Sequence, residues 1–409
     1  MPAKGNVKVE RKIRGYYDYN LLAVVIILIC FGLVMLYSAS SYEATEITGN
    51  DMHYLTRQGA ISAVAILFAI IISKIDYHFF LKLSGVLYFL SLLLMAAVKY
   101  SPLGVEYNGA RRWLGTDSFQ FQPSEIAKIA VILFVTSQII RMGRDFYTFK
   151  GVFIVFIYGF LQAFGAYYFT DNLSTAIIIM AIDVLMIFVA HPKTKPFIVI
   201  FLILVVVVIA AVVILSQIAD SGDGFRIRRV LTWLDPEKYS EYGGFQVLQG
   251  LYAIGSGGFF GKGLGNSTQK LSAIPEAQND MIFSVICEEL GLFGAIILLL
   301  LFGYLLYRLM WIAQNAADLK GCLIASGVFI HIALQVVLNI CVVLNVIPTT
   351  GVTLPFVSYG GTSVLFLMGE IGLVLGVASR IEIKVRKVPE ERKANANIQR
   401  TAERSSLTH

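Results

Sequence analysis

The chain has 409 residues, of which 57% are hydrophobic and 15% charged, and its mean hydropathy is +0.72. Soluble domains carry close to a quarter charged residues, so this chain lacks the polar surface that a water-soluble globule of its size needs. This composition excludes an ordinary soluble enzyme and a disordered chain. The four cysteines lie inside apolar runs without paired spacing, which excludes a disulfide scaffold.

The net charge of +6 also has a membrane interpretation, because excess Lys and Arg usually mark cytoplasmic loops. We therefore expect no nucleic-acid partner. The five histidines are scattered along the chain, so neither a zinc site nor a Ser-His-Asp relay is predicted.

About ten stretches approach the roughly 20 apolar residues that a membrane span requires. They lie near 19–39, 58–73, 80–98, 125–140, 151–168, 174–190, 197–216, 281–307, 321–346 and 360–380. With the N-terminus inside, the inner segments carry about twice as many Lys and Arg as the outer ones, as the positive-inside rule requires. We therefore predict an all-α integral membrane protein with about ten transmembrane helices and both termini in the cytoplasm.

The predicted organisation has three parts. Residues 1–17 form a cytoplasmic segment, residues 18–380 a polytopic membrane domain, and residues 381–409 a basic cytoplasmic tail that we expect to be disordered. Two outer segments, 99–123 and 217–280, are too long to be simple connectors. The second is a large extracytoplasmic loop between spans 7 and 8, and long structured loops tend to carry function.

Two clusters in or beside the first outer segment carry candidate chemistry. Arg111 and Arg112 stand beside Trp113 in an outer loop, where cations are scarce. Guanidinium groups are well suited to bind phosphate, and the alternative is that these arginines contact lipid headgroups. Pro123 and Ser124 read as a helix start with Ser124 as its N-cap. Glu125 and Lys128 follow three residues apart on one helix face, so they are predicted to pair, either for function or as a structural ion pair.

The second outer segment ends in Asp280, directly before the eighth span. A carboxylate at the membrane edge can serve as a general base, and a simple helix N-cap is the alternative. Glu288 and Glu289 lie deeper in the same span and should face the protein interior and pair. The glycine-rich stretch 253–265 has neither Walker A nor dinucleotide spacing, which leaves close backbone packing or a re-entrant turn.

A last cluster, 346–363, contains two prolines and three glycines within apolar sequence. Such a segment is predicted to be non-helical or re-entrant, which protein or a cavity must cover. A structural turn is the alternative. Asn339 and Glu370 add buried polar groups on either side.

Together these clusters resemble the SEDS family, the FtsW, RodA and SpoVE proteins of bacterial wall synthesis, over roughly residues 18–380. The stretches that carry the resemblance, in the family's order, are Leu36–Ser40, Gly109–Trp113, Gln122–Glu125 with Lys128, Gly255–Gly265, Pro275–Asp280 and Pro348–Gly361. The form of 263–277 is closer to FtsW and SpoVE than to RodA, which favours a role in division or septum synthesis.

The resemblance implies a ten-span peptidoglycan glycosyltransferase of the bacterial plasma membrane. It would polymerise lipid II by inversion on a glycan linked to undecaprenyl pyrophosphate, with a class B penicillin-binding protein and other division proteins as partners. Asp280 occupies the position of the family's essential aspartate and would be the base. Arg111, Arg112 and Lys128, with Glu125 and Trp113, would bind pyrophosphate. The residues expected to support the site are Pro275, Glu276, Glu289, Ser358 and Gly360.

No cofactor is firmly predicted; a divalent cation, Mg or Mn, would share the neutralisation of pyrophosphate, although no metal motif is present. Two departures from the family stand out. Gln278-Asn279 replace its His-Thr, and its acid before the sixth span is shifted to Asp171 or replaced by Asn172. The alternatives are a lipid II flippase or transporter, which needs polar groups along the full membrane depth, and a non-catalytic divisome scaffold.

Overall fold

The computed structural model describes residues 12–13, 17–107, 109–116, 120–218, 225–271, 274 and 277–384. The helices in these ranges are α1 Tyr19–Thr48, α2 His53–Lys74, α3 Tyr77–Tyr100, α4 Pro123–Met142, α5 Phe149–Thr170, α6 Leu173–Ala190, α7 Lys195–Ile218, α8 Phe225–Leu234, α9 Gly244–Gly257, α10 Ile282–Asn315, α11 Leu319–Val343 and α12 Ser363–Ala378. Short strands are β1 Lys12–Ile13, β2 Gly104–Tyr107, β3 Ala110–Gly115, β4 Gln120–Phe121 and β5 Ile383–Lys384.

The prediction of a helical, multi-pass membrane protein is confirmed. Within the described ranges, α1 to α7, α10 and α11 are long and apolar enough to cross a membrane. The predicted tenth span corresponds to α12, which has 16 residues and is buried along almost its whole length. A Cβ on its Gly372 would lie 2.7 Å from the Ala69 carbonyl oxygen of α2. Helix α12 is therefore an interior helix that packs backbone to backbone.

The predicted second outer segment is partly helical. It contains α8, which is strongly amphipathic, and α9, which packs along α10. The preceding helix α7 differs from the other spans, because none of its most apolar stretch is buried against the rest of the described chain.

Helix α10 is interrupted at Gly291, whose φ of +67° and ψ of −168° are not helical. The glycine-rich segment fills the break: the Lys262 amide donates to the Glu288 carbonyl oxygen at 2.9 Å. A Cβ at Gly261 would stand 2.1 Å from the Glu289 carbonyl oxygen, so only glycine permits this approach. The prediction of close backbone packing for the glycine-rich stretch is confirmed.

The two adjacent acids of α10 lie inside the protein and pair, as predicted. Glu288 meets Lys262 at 2.6 Å, and Glu289 meets Lys270 at 2.7 Å. Glu289 also accepts a hydrogen bond of 2.7 Å from the Ser38 hydroxyl of α1. These pairs therefore tie the glycine-rich segment to α10 and α1.

The segment between α11 and α12 is non-helical, as predicted. Asn345 and Phe356 have φ of 54° and 64°, and the Ser358 hydroxyl accepts from the Leu354 amide at 2.8 Å. Gly360 lies where a Cβ would approach a serine hydroxyl to 2.3 Å. Ser358 and Gly360 therefore shape this turn from within.

Charged pairs join helix ends at the opposite end of the bundle from β2, β3 and β4. Asp18 pairs with Arg308, and His78 lies 2.9 Å from Asp318. Strand β1 pairs antiparallel with β5, so the two ends of the membrane domain lie side by side. The rest of the predicted N-terminal segment and tail, 1–11, 14–16 and 385–409, lies outside the described residues.

Candidate functional site

Strands β2, β3 and β4 form a small antiparallel sheet at one end of the bundle, here called the sheet end. Arg111 of β3 fixes this sheet to α3. Its guanidinium donates to the carbonyl oxygens of Gly104 at 3.1 Å, Lys99 at 3.3 Å and Ser101 at 2.7 Å. Three of the five N–H donors of the guanidinium are thus bound to backbone, so Arg111 stabilises the sheet.

Arg112 differs from its neighbour. Its Nε is buried and meets no hydrogen-bond partner within the described part of the chain. Burial lowers the pKa of Arg112, while the nearby Asp171 carboxylate opposes the shift. Trp113 follows, half-buried and opposite Val105 in the β2–β3 pair. Of the two predicted arginines, Arg112 is therefore the one with a buried donor that a ligand could satisfy.

Asp280 lies half-buried in the turn that precedes α10. Its carbonyl oxygen accepts from the Asn339 amide group of α11 at 2.8 Å, and the same group donates to the Val352 carbonyl oxygen at 2.8 Å. The amide of Tyr359 donates to the Gln278 carbonyl oxygen at 2.9 Å. The N-cap of α10 is Met281, so Asp280 is held by its backbone beside the non-helical segment and is not a simple helix cap.

Arg229 of α8 joins these groups, and the sequence did not single it out. Its Nη1 donates to the Thr349 carbonyl oxygen at 3.2 Å. Burial lowers the pKa of Arg229, the like charge of Arg112 lowers it further, and the carboxylate of Asp280 opposes both. The structure thus brings Arg229 within electrostatic range of both Asp280 and Arg112. The available signal was three arginines within 226–229, in an outer segment where cations are scarce.

The predicted pairing of Glu125 with Lys128 is confirmed, at 2.8 Å. The Lys128 side chain is only 1% exposed, so this cation is neutralised inside the helix bundle. The prediction that Ser124 caps α4 is wrong. Gln122 is the N-cap, Pro123 is the first helical residue, and the Ser124 hydroxyl is buried without a partner among the described residues. Proline favours the first helical position because its fixed φ suits the helix and no amide hydrogen is needed there.

The remaining predicted residues lie elsewhere in the structure or outside the described residues. Pro275 and Glu276 fall outside the described residues. Glu289 lies in the ion-pair cluster at the break of α10, and Ser358 and Gly360 in the turn before α12. Asn172 caps α6 by accepting from the Thr175 amide at 3.0 Å, which leaves Asp171 as the acid near Arg112. The described side chains contain no group of three or more His, Cys, Asp or Glu that would hold a metal ion.

The arrangement places the Asp280 carboxylate within electrostatic range of the half-buried Arg229, which is in turn within range of Arg112. A carboxylate can take a proton from a hydroxyl, and guanidinium groups bind phosphate oxygens and stabilise charge that develops on them. The site therefore suits transfer of a group from a phosphate leaving group to a hydroxyl. It belongs to a polytopic membrane protein.

Residues 18–382 match the family of cell cycle proteins that comprises FtsW, RodA and SpoVE. Stage V sporulation protein E of Bacillus subtilis is 34% identical over 361 residues, which cover 88% of this chain and 96% of that protein. The probable peptidoglycan glycosyltransferase FtsW of Trichlorobacter lovleyi is 33% identical over 367 residues, covering 90% and 94%.

Solved structures agree with the sequence relatives. A chain in a structure titled "Structural coordination of polymerization and crosslinking by a peptidoglycan synthase complex" superposes with a TM-score of 0.72 at 30% identity, covering 88% of this chain and 97% of that one. The rod shape determining protein RodA of Thermus thermophilus superposes with a TM-score of 0.62 at 28% identity, covering 88% and 96%. The chain belongs to the FtsW/RodA/SpoVE family.

Proposed function

We propose that the protein is a peptidoglycan glycosyltransferase that polymerises lipid II into β-1,4 glycan strands, and that it acts in division or septum synthesis. The observation that carries this proposal is the position of Asp280 and Arg229 against one non-helical segment, where Arg229 donates to Thr349 and Asn339 joins Asp280 to Val352. Arg229 interacts electrostatically there with both Asp280 and Arg112. The relatives support it, because proteins similar to this chain over most of its length are named for that activity and for sporulation.

The proposed step is a single displacement. The Asp280 carboxylate takes the proton of the acceptor sugar's 4-hydroxyl, and the freed oxygen forms a bond to the anomeric carbon of the glycosyl donor. The bond from that carbon to phosphate breaks, and its electron pair leaves with undecaprenyl pyrophosphate. Attack from the opposite side converts the α linkage to β. One carboxylate suffices because pyrophosphate leaves without strong acid help, whereas glycosidases use a second carboxyl group to protonate the leaving oxygen.

The charge that forms on the leaving pyrophosphate needs cations. Arg112 supplies an unused buried donor, whereas Arg111 and Lys128 are engaged with backbone and with Glu125. We therefore assign the first pyrophosphate contact to Arg112, with Trp113 beside it. Removal of a single preorganised donor of this kind costs about 10²- to 10³-fold in rate. Whether Mg or Mn assists remains a prediction.

The orientation follows from the chemistry and the charge pattern. Lipid-linked wall precursors are polymerised outside the plasma membrane, so the sheet end faces outward and both termini face the cytoplasm. The adjacent β1 and β5 support a common side for the two termini. The similar chain in a complex that coordinates polymerization and crosslinking supports a class B penicillin-binding protein as the crosslinking partner.

Detergent micelles separate the polymerase from the transporter. Micelles have no second compartment, so a transporter would leave lipid II unchanged in them. The purified protein, bound to a penicillin-binding partner whose transpeptidase is blocked, should convert labelled lipid II in micelles into long glycan chains. Failure to form chains with the partner bound, together with movement of lipid II between leaflets in proteoliposomes, would overturn the proposal.

A further inference from the structure

Helix α8 is fixed to the non-helical segment along one of its faces. Arg229 donates to the Thr349 carbonyl oxygen at 3.2 Å. One turn later, the Trp233 indole donates to the Asn345 carbonyl oxygen at 3.0 Å, and the Asn345 amide group donates back to the Trp233 carbonyl oxygen at 3.3 Å. Residues four apart share a helix face, so the indole contacts set where the Arg229 guanidinium points.

That guanidinium is within electrostatic range of charges of both signs. Asp280 attracts it and Arg112 repels it, and both effects are felt in a largely desolvated setting that strengthens them. A half-buried arginine beside another arginine is costly unless anions compensate both. Asp280 supplies one negative charge, and Asp171 lies near Arg112.

Unused polar atoms lie around this pair. The Nε of Arg112 and the hydroxyl of Thr350 are buried, and neither meets a hydrogen-bond partner among the residues that the structure describes. Thr350 directly follows the residue whose carbonyl oxygen holds Arg229. A buried donor without a partner is costly, so these two atoms indicate a place for a ligand rich in acceptor oxygens.

We propose that Arg229 binds two anions in turn: Asp280 when the site is empty, and the pyrophosphate of the glycosyl donor, together with Arg112 and the Thr350 hydroxyl, when the donor is bound. The inference rests on the proposed function for the identity of the anion. Its consequence is a base that is masked until the leaving group is in place. When the phosphates draw Arg229 away, Asp280 loses its counter-charge and becomes the stronger base as the acceptor sugar arrives.

Other cations that the sequence suggested do not fit this role. Arg111 spends its donors on three backbone carbonyl oxygens, and Lys128 is buried against Glu125. Arg229 differs from both, because it interacts with the Asp280 carboxylate and with a second guanidinium, that of Arg112. The shared position between base and anion ligand is therefore specific to Arg229.

Binding of inorganic pyrophosphate tests the sharing without relying on activity. In the full-length protein, Asp280→Asn should strengthen binding about fivefold, because it removes the opposite charge that attracts Arg229. Arg229→Gln should weaken binding about 10- to 100-fold, and Arg229→Lys less. The double variant Asp280→Asn/Arg229→Gln should bind pyrophosphate with the same affinity as Arg229→Gln alone. The matched control is Arg228→Gln, which removes the same charge one residue earlier on α8.

Two results would overturn the inference: an Asp280→Asn protein whose pyrophosphate affinity is unchanged or lower, or an Arg229→Gln protein that binds like Arg228→Gln. A purely structural role for Arg229 would weaken binding without the opposite shift from Asp280→Asn. Elution as a single species and retained partner binding show that each variant is folded. If wild type binds pyrophosphate as described yet forms no glycan chains from lipid II, the proposed function fails and the shared anion site stands.

Discussion

Breaking the buried ion pair between Lys270 and Glu289 from one side should strongly destabilise the protein. The Lys270 ammonium is 2.7 Å from Glu289, and the two side chains are 6% and 0% exposed. It also donates to the Ser38 hydroxyl at 2.9 Å and the Gly265 carbonyl oxygen at 2.8 Å. Lys270→Met leaves a buried carboxylate without its cation, which costs about 3–5 kcal/mol.

The matched control is Lys262→Met. Its partner Glu288 lies at 2.6 Å, but the Lys262 side chain is 32% exposed. Glu288 would also keep hydrogen bonds from the Ser267 and Thr268 hydroxyls. We therefore expect a smaller loss, about 1–2 kcal/mol.

The free energy of unfolding, measured by denaturant titration in mixed micelles, distinguishes the two lysines. Lys270→Met should be the less stable by about 2 kcal/mol, which follows from the two costs above. The double variant Lys270→Met/Glu289→Gln should recover most of the loss, since no uncompensated charge remains. Equal stability of the two lysine variants, or no recovery in the double variant, would refute the argument from burial.

Three further outcomes are expected. Arg111→Ala should lower the melting temperature, because it leaves three backbone carbonyl oxygens without their donor. Arg112→Ala should lower glycan synthesis about 100-fold at unchanged melting temperature. A stability loss from Arg112→Ala with an activity loss from Arg111→Ala would contradict the assignment. Gly291→Ala should destabilise the protein by more than the roughly 1 kcal/mol of a strained residue at positive φ, because its Cβ would stand 2.3 Å from a backbone nitrogen; a neutral effect in thermal melts would show that the break relaxes. Burial would raise the pKa of Asp318, but hydrogen bonds from the Gly321 amide, Tyr77 and His78 lower it overall. The contribution of Asp318 to stability is therefore present above about pH 4 and lost as pH falls through the lowered pKa. The melting temperatures of wild type and Asp318→Asn should thus converge only below about pH 4.

The membrane architecture could be predicted because a span has a length and a composition that a single sequence reveals. The same reasoning located Glu125 and Lys128 as a pair, since residues three apart share a helix face. It also anticipated that Glu288 and Glu289 point inward, because unpaired acids are costly in lipid.

The partners of these acids could not be predicted. Lys262 and Lys270 reach them only because the glycine-rich segment folds back on the break at Gly291, a contact that no local pattern encodes. Arg229 was missed for a similar reason. Its relation to Asp280 depends on how α8 lies against the non-helical segment. Asp183 also went unremarked, although neither carboxylate oxygen of this buried residue meets a hydrogen-bond partner in the described part of the chain.

The two arginines of β3 show the limit of motif reasoning most clearly. From the sequence, Arg111 and Arg112 receive the same predicted role in binding pyrophosphate. Neighbouring residues of a strand point to opposite faces, so one guanidinium turns toward the end of α3 and the other toward Asp171 and Arg229. Only the register of the sheet separates the structural arginine from the candidate ligand.

The central claim, that Asp280 is the base, is tested most directly by comparing two Asp→Asn variants in the lipid II assay. The control is Asp51→Asn, an exposed acid that accepts a hydrogen bond from Tyr37 at 2.9 Å and interacts with neither Arg112 nor Arg229. Asp280→Asn should reduce glycan synthesis about 10²- to 10⁴-fold, the range for loss of a general base, while Asp51→Asn keeps the wild-type rate. Wild-type rates from a folded, partner-bound Asp280→Asn protein would contradict the account.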